Sequence, residues 1–312
     1  MAAAPAGQIT EEKASALRRI LLSAAASLAA FGWALLSEFH QPAGARPPAA
    51  GYTLAKSIQY GYTLQNKTGR VVKAAEFWAH APVKQTSGQR CRDLSANYPF
   101  QLLSDKDGNQ LLHFTFENLA PYASRIITIK ADLLVSRSAN PIAAEPGTPD
   151  LHPEKYIESN HPAILRAAAD LKRADAMQTI KEIFDWVASH VQYSGYADQE
   201  RGALYAFEQK KGDCTEYMDL FVALCRANGI PARRIGGYIC PESTVLKARD
   251  YHNWGEFHID GTWQMADPQN KVLMQNQADY IAMRIIRTPE DNRLDTCNRF
   301  RVRGEGLKVI MN

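Results

Sequence analysis

The spacing of apolar positions changes along this chain, and each change predicts a different kind of element. Ile20 to Leu36 is apolar or small throughout and carries no charge. Such a run has no polar face to turn to water, so it predicts a membrane-inserted helix. From Tyr52 to Val135 the spacing shortens towards two. Ser57-Ile58-Gln59-Tyr60-Gly61-Tyr62-Thr63-Leu64 partly alternates, and Asn66 to Gly69 is a turn signal before Val71-Val72. Asp107-Gly108-Asn109 separates Phe100-Gln101-Leu102-Leu103 from Leu111-Leu112-His113-Phe114, which reads as a hairpin. Arg125 to Val135 reads as a last strand. Together these predict a small β-sandwich, with Trp78, His80 and Cys91 as core or structural residues.

Beyond Pro162 the period lengthens to three and four. Pro162 to Leu171 and Ala174 to His190 predict helices. In the second, Met177, Ile180, Phe184, Val187 and Val191 form the stripe of a core-facing helix. A short helix over Ala203 to Gln209 follows a loop at Gly195 to Gly202. A longer one begins at Cys214 and stops at Asn228-Gly229, and Pro231 prevents its resumption. Ser138 to Pro153, rich in Pro, Ala and Gly, predicts a linker. The expected plan is therefore a tip, apolar helix (20–36) and tether over 1–50, a β-sandwich over 51–137, a linker over 138–153, and an α+β domain over 154–312.

Composition narrows the picture. A chain of 312 residues is long enough for two domains, each with its own core. The net charge of +3 comes without a Lys/Arg run, so a nucleic-acid partner has no electrostatic footprint. Five cysteines stand singly with no C-x-x-C pair, which excludes a zinc ribbon or a thioredoxin-like motif. Arg18-Arg19 precedes the apolar run, the side that stays cytoplasmic when a helix inserts. A signal peptide cleaved near Ala43-Gly44-Ala45 and an uncleaved anchor in the inner membrane both remain open. Either exports the folded part, leaving it periplasmic, membrane-anchored or secreted in an oxidising compartment. Cys240 and Cys297 flank the second domain's hairpin in sequence, which makes them the favoured pair for a disulfide.

The candidate chemistry lies in the second half. Cys214 follows Gly212-Asp213 and opens a helix. A thiol in the first turn meets the positive end of the helix dipole, which favours the thiolate, and its backbone N–H lacks an intrahelical partner. Cys225 lies eleven residues on, deeper along the same helix face, and reads as core or a disulfide partner. Downstream, Asp260-Gly261 separates Tyr251–Ile259 from Thr262–Asp267, a strong signal for a two-residue hairpin turn. In that register Ile259 pairs with Thr262, and His252 and Asp267 become diagonal neighbours, roughly 7–8 Å apart at the backbone. The carboxylate can then hold one imidazole nitrogen and leave the other to face a thiol. His258 sits next to the turn, out of reach, and reads as a surface residue.

These residues resemble the transglutaminase-like superfamily over about Ala174 to Gln269. The resemblance rests on Gly212-Asp213-Cys214-Thr215-Glu216-Tyr217, on Leu224-Cys225-Arg226-Ala227-Asn228-Gly229-Ile230-Pro231-Ala232-Arg233, on His252-x-Trp254-x-Glu256, and on Trp263 through Asp267-Pro268. It implies a papain-like α+β core with a Cys214, His252, Asp267 triad acting on an amide of a protein or peptide through a thioester. Water as acceptor would make a peptidase or amidase, and an amine a crosslinker; bacterial relatives favour hydrolysis. Asn253-Trp254-Gly255 departs from the family's small-Trp-aliphatic run, which bears on the acyl pocket and brings Trp254 forward as a substrate-binding residue. The Cys214 backbone is one expected oxyanion donor, with Gln192 a candidate second beside Tyr193. No cofactor is implied, and no acidic cluster suggests calcium. The rival readings are a non-catalytic scaffold of this fold in the envelope, and a zinc site on Cys214, His252 and Asp267, which lacks a short-spaced ligand pair.

Overall fold

The computed structural model describes residues 51–288 and 299–312. The apolar run at 20–36, its flanking arginines and Cys297 lie outside the described residues. Among the described residues no helix is long and apolar enough to cross a membrane.

The period-two stretch folds as strands β1 (Leu54–Asn66), β2 (Val72–Ala81), β3 (Gln89–Ala96), β4 (Gln101–Ser104), β5 (Gln110–Leu119) and β6 (Ser124–Val135). Alternation decides which side chains go inside: Ile58, Tyr60, Tyr62 and Leu64 of β1 are all buried. The sheet containing β1, β6 and β3 and the sheet containing β2, β5 and β4 share one apolar core. Tyr62 and Phe77, one from each sheet, meet at 5.0 Å between ring centroids. The hairpin around Gly108 has the expected pairing, with Leu103 opposite Leu111. Trp78 and His80 are buried, and Cys91 is half-buried.

The second region brings helices Pro162–Leu171, Ala176–His190 and Ala203–Gln209 against the helix Cys214–Ala227. Two short strands, β7 (Gln192–Tyr193) and β8 (Lys211–Gly212), pair in parallel just before Cys214. Then come β9 (Ala232–Ile239), β10 (Thr244–Val245), β11 (Tyr251–Ile259), β12 (Thr262–Asp267), β13 (Val272–Leu273) and β14 (Tyr280–Ile286). The order β13-β12-β11-β9-β14 forms a sheet, and β11 packs on the Cys214–Ala227 helix. Gly255 permits that contact: a Cβ there would lie 2.8 Å from the Phe221 ring. The result is a mixed α/β fold.

The boundary expected at 153/154 does not hold at the far end of the chain. The last strands, β15 (Phe300–Arg303) and β16 (Leu307–Met311), pair with β2 and β1, and β10 pairs with β1 as well. The first two sheets are thus completed by residues from beyond the second region. The expected linker is also pinned in place. Asp150 is buried and accepts from Arg287 at 2.6 Å, and Asn140 is held by Ser87.

Candidate active site

Cys214 is the first residue of its helix because Asp213 caps it. The Asp213 carboxylate accepts from Thr215 N–H at 2.8 Å and from Ala197 N–H at 2.9 Å, and Glu216 accepts from Asp213 N–H at 2.9 Å. Such reciprocal capping fixes the first turn. Arg201 pairs with Glu216 at 2.5 Å and ties in the preceding loop. Cys214 lines a cavity of about 990 Å³ together with His252, Asn253, Tyr193, Tyr196 and Arg284.

The hairpin presents the other two residues in the expected register. Ile259 pairs with Thr262 and Gly255 with Ala266. Asp260 and Gly261 both adopt positive φ, 49° and 71°, as a tight Asp-Gly turn demands. His252 Nε2 then lies 2.7 Å from Asp267 Oδ2. Burial works to lower the imidazole pKa, but hydrogen bonds and negative charge from Asp267 and Cys214 outweigh it and hold the ring up to about 9. Burial likewise works against the Asp267 charge, and the donors around it, His252 first, hold the carboxyl below its usual value. With Nε2 committed to Asp267, Nδ1 is the nitrogen left for the thiol.

Two residues that the sequence did not single out hold Asp267. Tyr280 O–H donates to Oδ2 at 2.9 Å, and Asn270 donates its side-chain amide to Oδ2 at 2.8 Å and its backbone N–H to Oδ1 at 3.2 Å. Asn270 lies three residues past Asp267 with no pattern to mark it. Tyr280 comes from β14, which pairs with β9 and not with β12, so no local signal brings it to Asp267. A third unanticipated contact is Asn253 Nδ2 donating to Thr215 Oγ1 at 2.9 Å.

Trp254 and Gln192 are not where a substrate-pocket and an oxyanion residue are expected. Trp254 is buried with Val83, Ile235, Met265 and Tyr280, its ring 5.1 Å edge-on from Tyr280, and it lies off the cavity. Its bulk fills the core behind the sheet. Gln192 is exposed and off the cavity as well, whereas its neighbour Tyr193 lines it. Strand alternation sends adjacent residues to opposite sides. Cys91, Cys225 and Cys240 are free thiols, and no three His, Cys, Asp or Glu side chains group as a metal site among the described residues.

A buried charge network reaches the cavity lining through Arg234 and Glu200. Arg234 reaches Glu200 at 2.5 Å, Glu154 at 3.0 Å and Asp219 at 3.8 Å, and Arg226 also pairs with Glu154, at 2.6 Å.

Residues 165–268, the stretch that supplies all three site residues, match the model of the transglutaminase-like superfamily. This chain carries a transglutaminase-like core. A solved structure from Cytophaga hutchinsonii, named as a candidate cysteine protease, superposes with a TM-score of 0.54 at 19% identity, covering 83% of this chain and 92% of that one. The likeness is one of fold, over most of this chain. The periplasmic domain of TgpA from Pseudomonas aeruginosa overlaps more loosely, with a TM-score of 0.34 at 15% identity over 66% of this chain and 92% of that one. An uncharacterised protein of Mycobacterium leprae, ML0607, is 25% identical over 146 residues, 45% of this chain. The match spans about half of that relative's length, 51%.

Proposed function

We propose that the protein is a cysteine acyltransferase acting on amides of peptides or proteins, with water as the preferred acceptor. The observation that carries this reading is the 2.7 Å bond between His252 Nε2 and Asp267 Oδ2 beside the helix-end thiol of Cys214. Cys214 passes its thiol proton to His252 Nδ1 and, as thiolate, attacks the amide carbonyl, forming the new C–S bond as the carbonyl π electrons move to oxygen. The Cys214 backbone N–H, outside the helix's own hydrogen-bond ladder, is one donor for the oxyanion. As the C–N bond breaks, His252 gives the proton on Nδ1 to the leaving amine. The resulting thioester is attacked by water, with His252 Nδ1 taking a water proton, and the thiol is regenerated. Asp267 keeps Nε2–H in place throughout and transfers no proton.

Arg18-Arg19 ahead of Ile20–Leu36 supports placing this activity outside the cytoplasm, tethered or released. The paired sheets of the first region, read as a β-sandwich, follow that segment in sequence. Proteomics of labelled peptide amides with wild-type protein and with Cys214→Ala tests the reading. Free amine and free acid products are expected from wild-type only. Equal turnover by both proteins, or none by either, would leave a scaffold of the same fold as the better account.

A further inference from the structure

We propose that Asn253 and Thr215 form a positioning clamp that sets how closely His252 approaches Cys214; this rests on the catalytic reading above. The nucleophile and the base sit on different elements, and each is followed directly by one half of the clamp. Asn253 Nδ2 donates to Thr215 Oγ1 at 2.9 Å, joining the start of β11 to the first turn of the Cys214–Ala227 helix.

The need for such a tie follows from how β11 is held. On one edge it pairs with β9 from Tyr251 to Phe257. On the other edge its pairing with β12 runs from Ile259 only as far as Gly255. His252 therefore lies on a stretch with a ladder on one edge among the described residues. Packing against the helix is set deeper, where Gly255 meets Phe221 and Val222 and the Phe257 ring meets Phe221 at 6.1 Å. Asn253 alternates onto that same face of the strand, two residues nearer the site. It is the side chain that carries the strand–helix contact out to the catalytic end.

The other half of the Asn253 amide supports the assignment. Its Oδ1 is buried and has no hydrogen-bond partner among the described residues. An idle buried acceptor is unfavourable, and an apolar side chain of similar shape would avoid it. The amide is thus accounted for by its Nδ2 contact with Thr215 and not by a fully satisfied polar pocket. Both residues line the cavity beside Cys214 and His252.

The test compares wild-type protein with Thr215→Val, Asn253→Ala, the double variant and Thr215→Ser. The readouts are iodoacetamide alkylation of Cys214 against pH, kcat and KM on a peptide amide, and the melting temperature. Misplacement by about an ångström costs up to about a hundredfold in a positioned reaction. Each single variant is expected to slow alkylation and kcat by about ten- to a hundredfold with little change in KM. The double variant should be no slower than the worse single one, because both remove the same bond. Thr215→Ser should restore the rate. A clamp also predicts that the alkaline limb of the pH profile moves down in the variants, which a loss of stability alone would not cause. Multiplying losses, an unmoved pH profile, or a Thr215→Ser protein as slow as Thr215→Val would overturn the clamp while leaving the catalytic reading intact. A wild-type Cys214 inert to alkylation would instead remove the catalytic reading and the clamp with it. Should Thr215→Val fail to fold, Asn253→Ala breaks the same bond from the strand side, and its pH profile decides.

Discussion

His252 Nε2 and Asp267 Oδ2 lie 2.7 Å apart across the β11–β12 hairpin, and that bond decides which imidazole nitrogen is left free. Asp267→Asn keeps the shape but can set an amide N–H where an acceptor is required, which favours the wrong tautomer. By analogy with other nucleophile–His–Asp triads, the loss in kcat should approach about 10⁴-fold. His252→Ala should cost as much, and the double variant little more, since residues of one unit are not additive. Steady-state turnover of the two single variants and the double checks this. Near-normal turnover by Asp267→Asn would mean that another residue orients His252.

The same bond gives the site a pH signature. His252 is held up to about 9, above its unfolded value of about 6.5. Its contribution to stability is therefore fully present below about pH 6.5 and is lost as pH rises through 9. Asp267 is shifted the other way, so its contribution is present above about pH 3.9 and fades as pH falls through its lower folded value. The melting temperature should fall between pH 7 and pH 10 by more in wild-type than in Asp267→Asn, and the alkaline limb of kcat/KM should lie near 9. Matching melting curves for the two proteins across that range would show that the pair is not coupled as described.

Thiol chemistry separates Cys214 from the other described cysteines. Burial pushes Cys91 and Cys240 up to about 11, and drives Cys225, in the core of the helix layer, higher still. Cys214 lines the cavity together with His252. Iodoacetamide near neutral pH should modify Cys214 first, as read by peptide mapping. Faster labelling of Cys91 or Cys240 would remove the case for an activated nucleophile.

The parts of this site that could be read from the sequence are those set by local rules. Asp260-Gly261 fixes a tight turn, the turn fixes the register, and the register brings His252 to Asp267. The capped start of the Cys214 helix and its stop at Asn228-Gly229 are equally local. What the sequence did not reveal depends on contacts between distant segments. Tyr280 reaches Asp267 from β14, which pairs with β9 in the same sheet and is separated from β12 by β9 and β11, and Trp254 packs in the same apolar cluster as Tyr280. The return of Phe300–Arg303 and Leu307–Met311 to the first two sheets is likewise a long-range pairing. A short strand carries no mark of its partner, so the sequence alone does not tie these residues to the first two sheets.

Tyr280 offers a measure of how far Asp267 depends on its supports. Tyr280→Phe removes an O–H donor from Oδ2 and leaves the ring packed on Trp254. Losing a donor to the charged form should raise the Asp267 pKa and loosen its aim at His252. A fall in kcat of about tenfold is expected, as for a positioning group short of the triad itself. The acid limb of the pH profile should move upward. An unshifted acid limb with unchanged kcat would assign the support of Asp267 to Asn270 alone.

Arg234 ties together the part of the cavity lining that it shares with Glu200. It is buried and pairs with Glu154, Glu200 and Asp219, which come from three separate segments. Burial pushes the Asp219 carboxyl well above the usual range, and Arg234 opposes that shift. Removing the cation leaves the acids facing one another in a medium that screens poorly. Breaking one side of a buried ion network typically costs about 3–5 kcal/mol, most of it from the charges left behind. Arg234→Met, which roughly fills the space, should show a loss of that order in urea denaturation. The loss should shrink when Glu200 is changed to Gln in the same protein, because one stranded charge is removed. If Arg234→Met costs under about 1 kcal/mol, Asp219 and its neighbours are already neutral in the folded protein, and the network is a set of hydrogen bonds, not of ions.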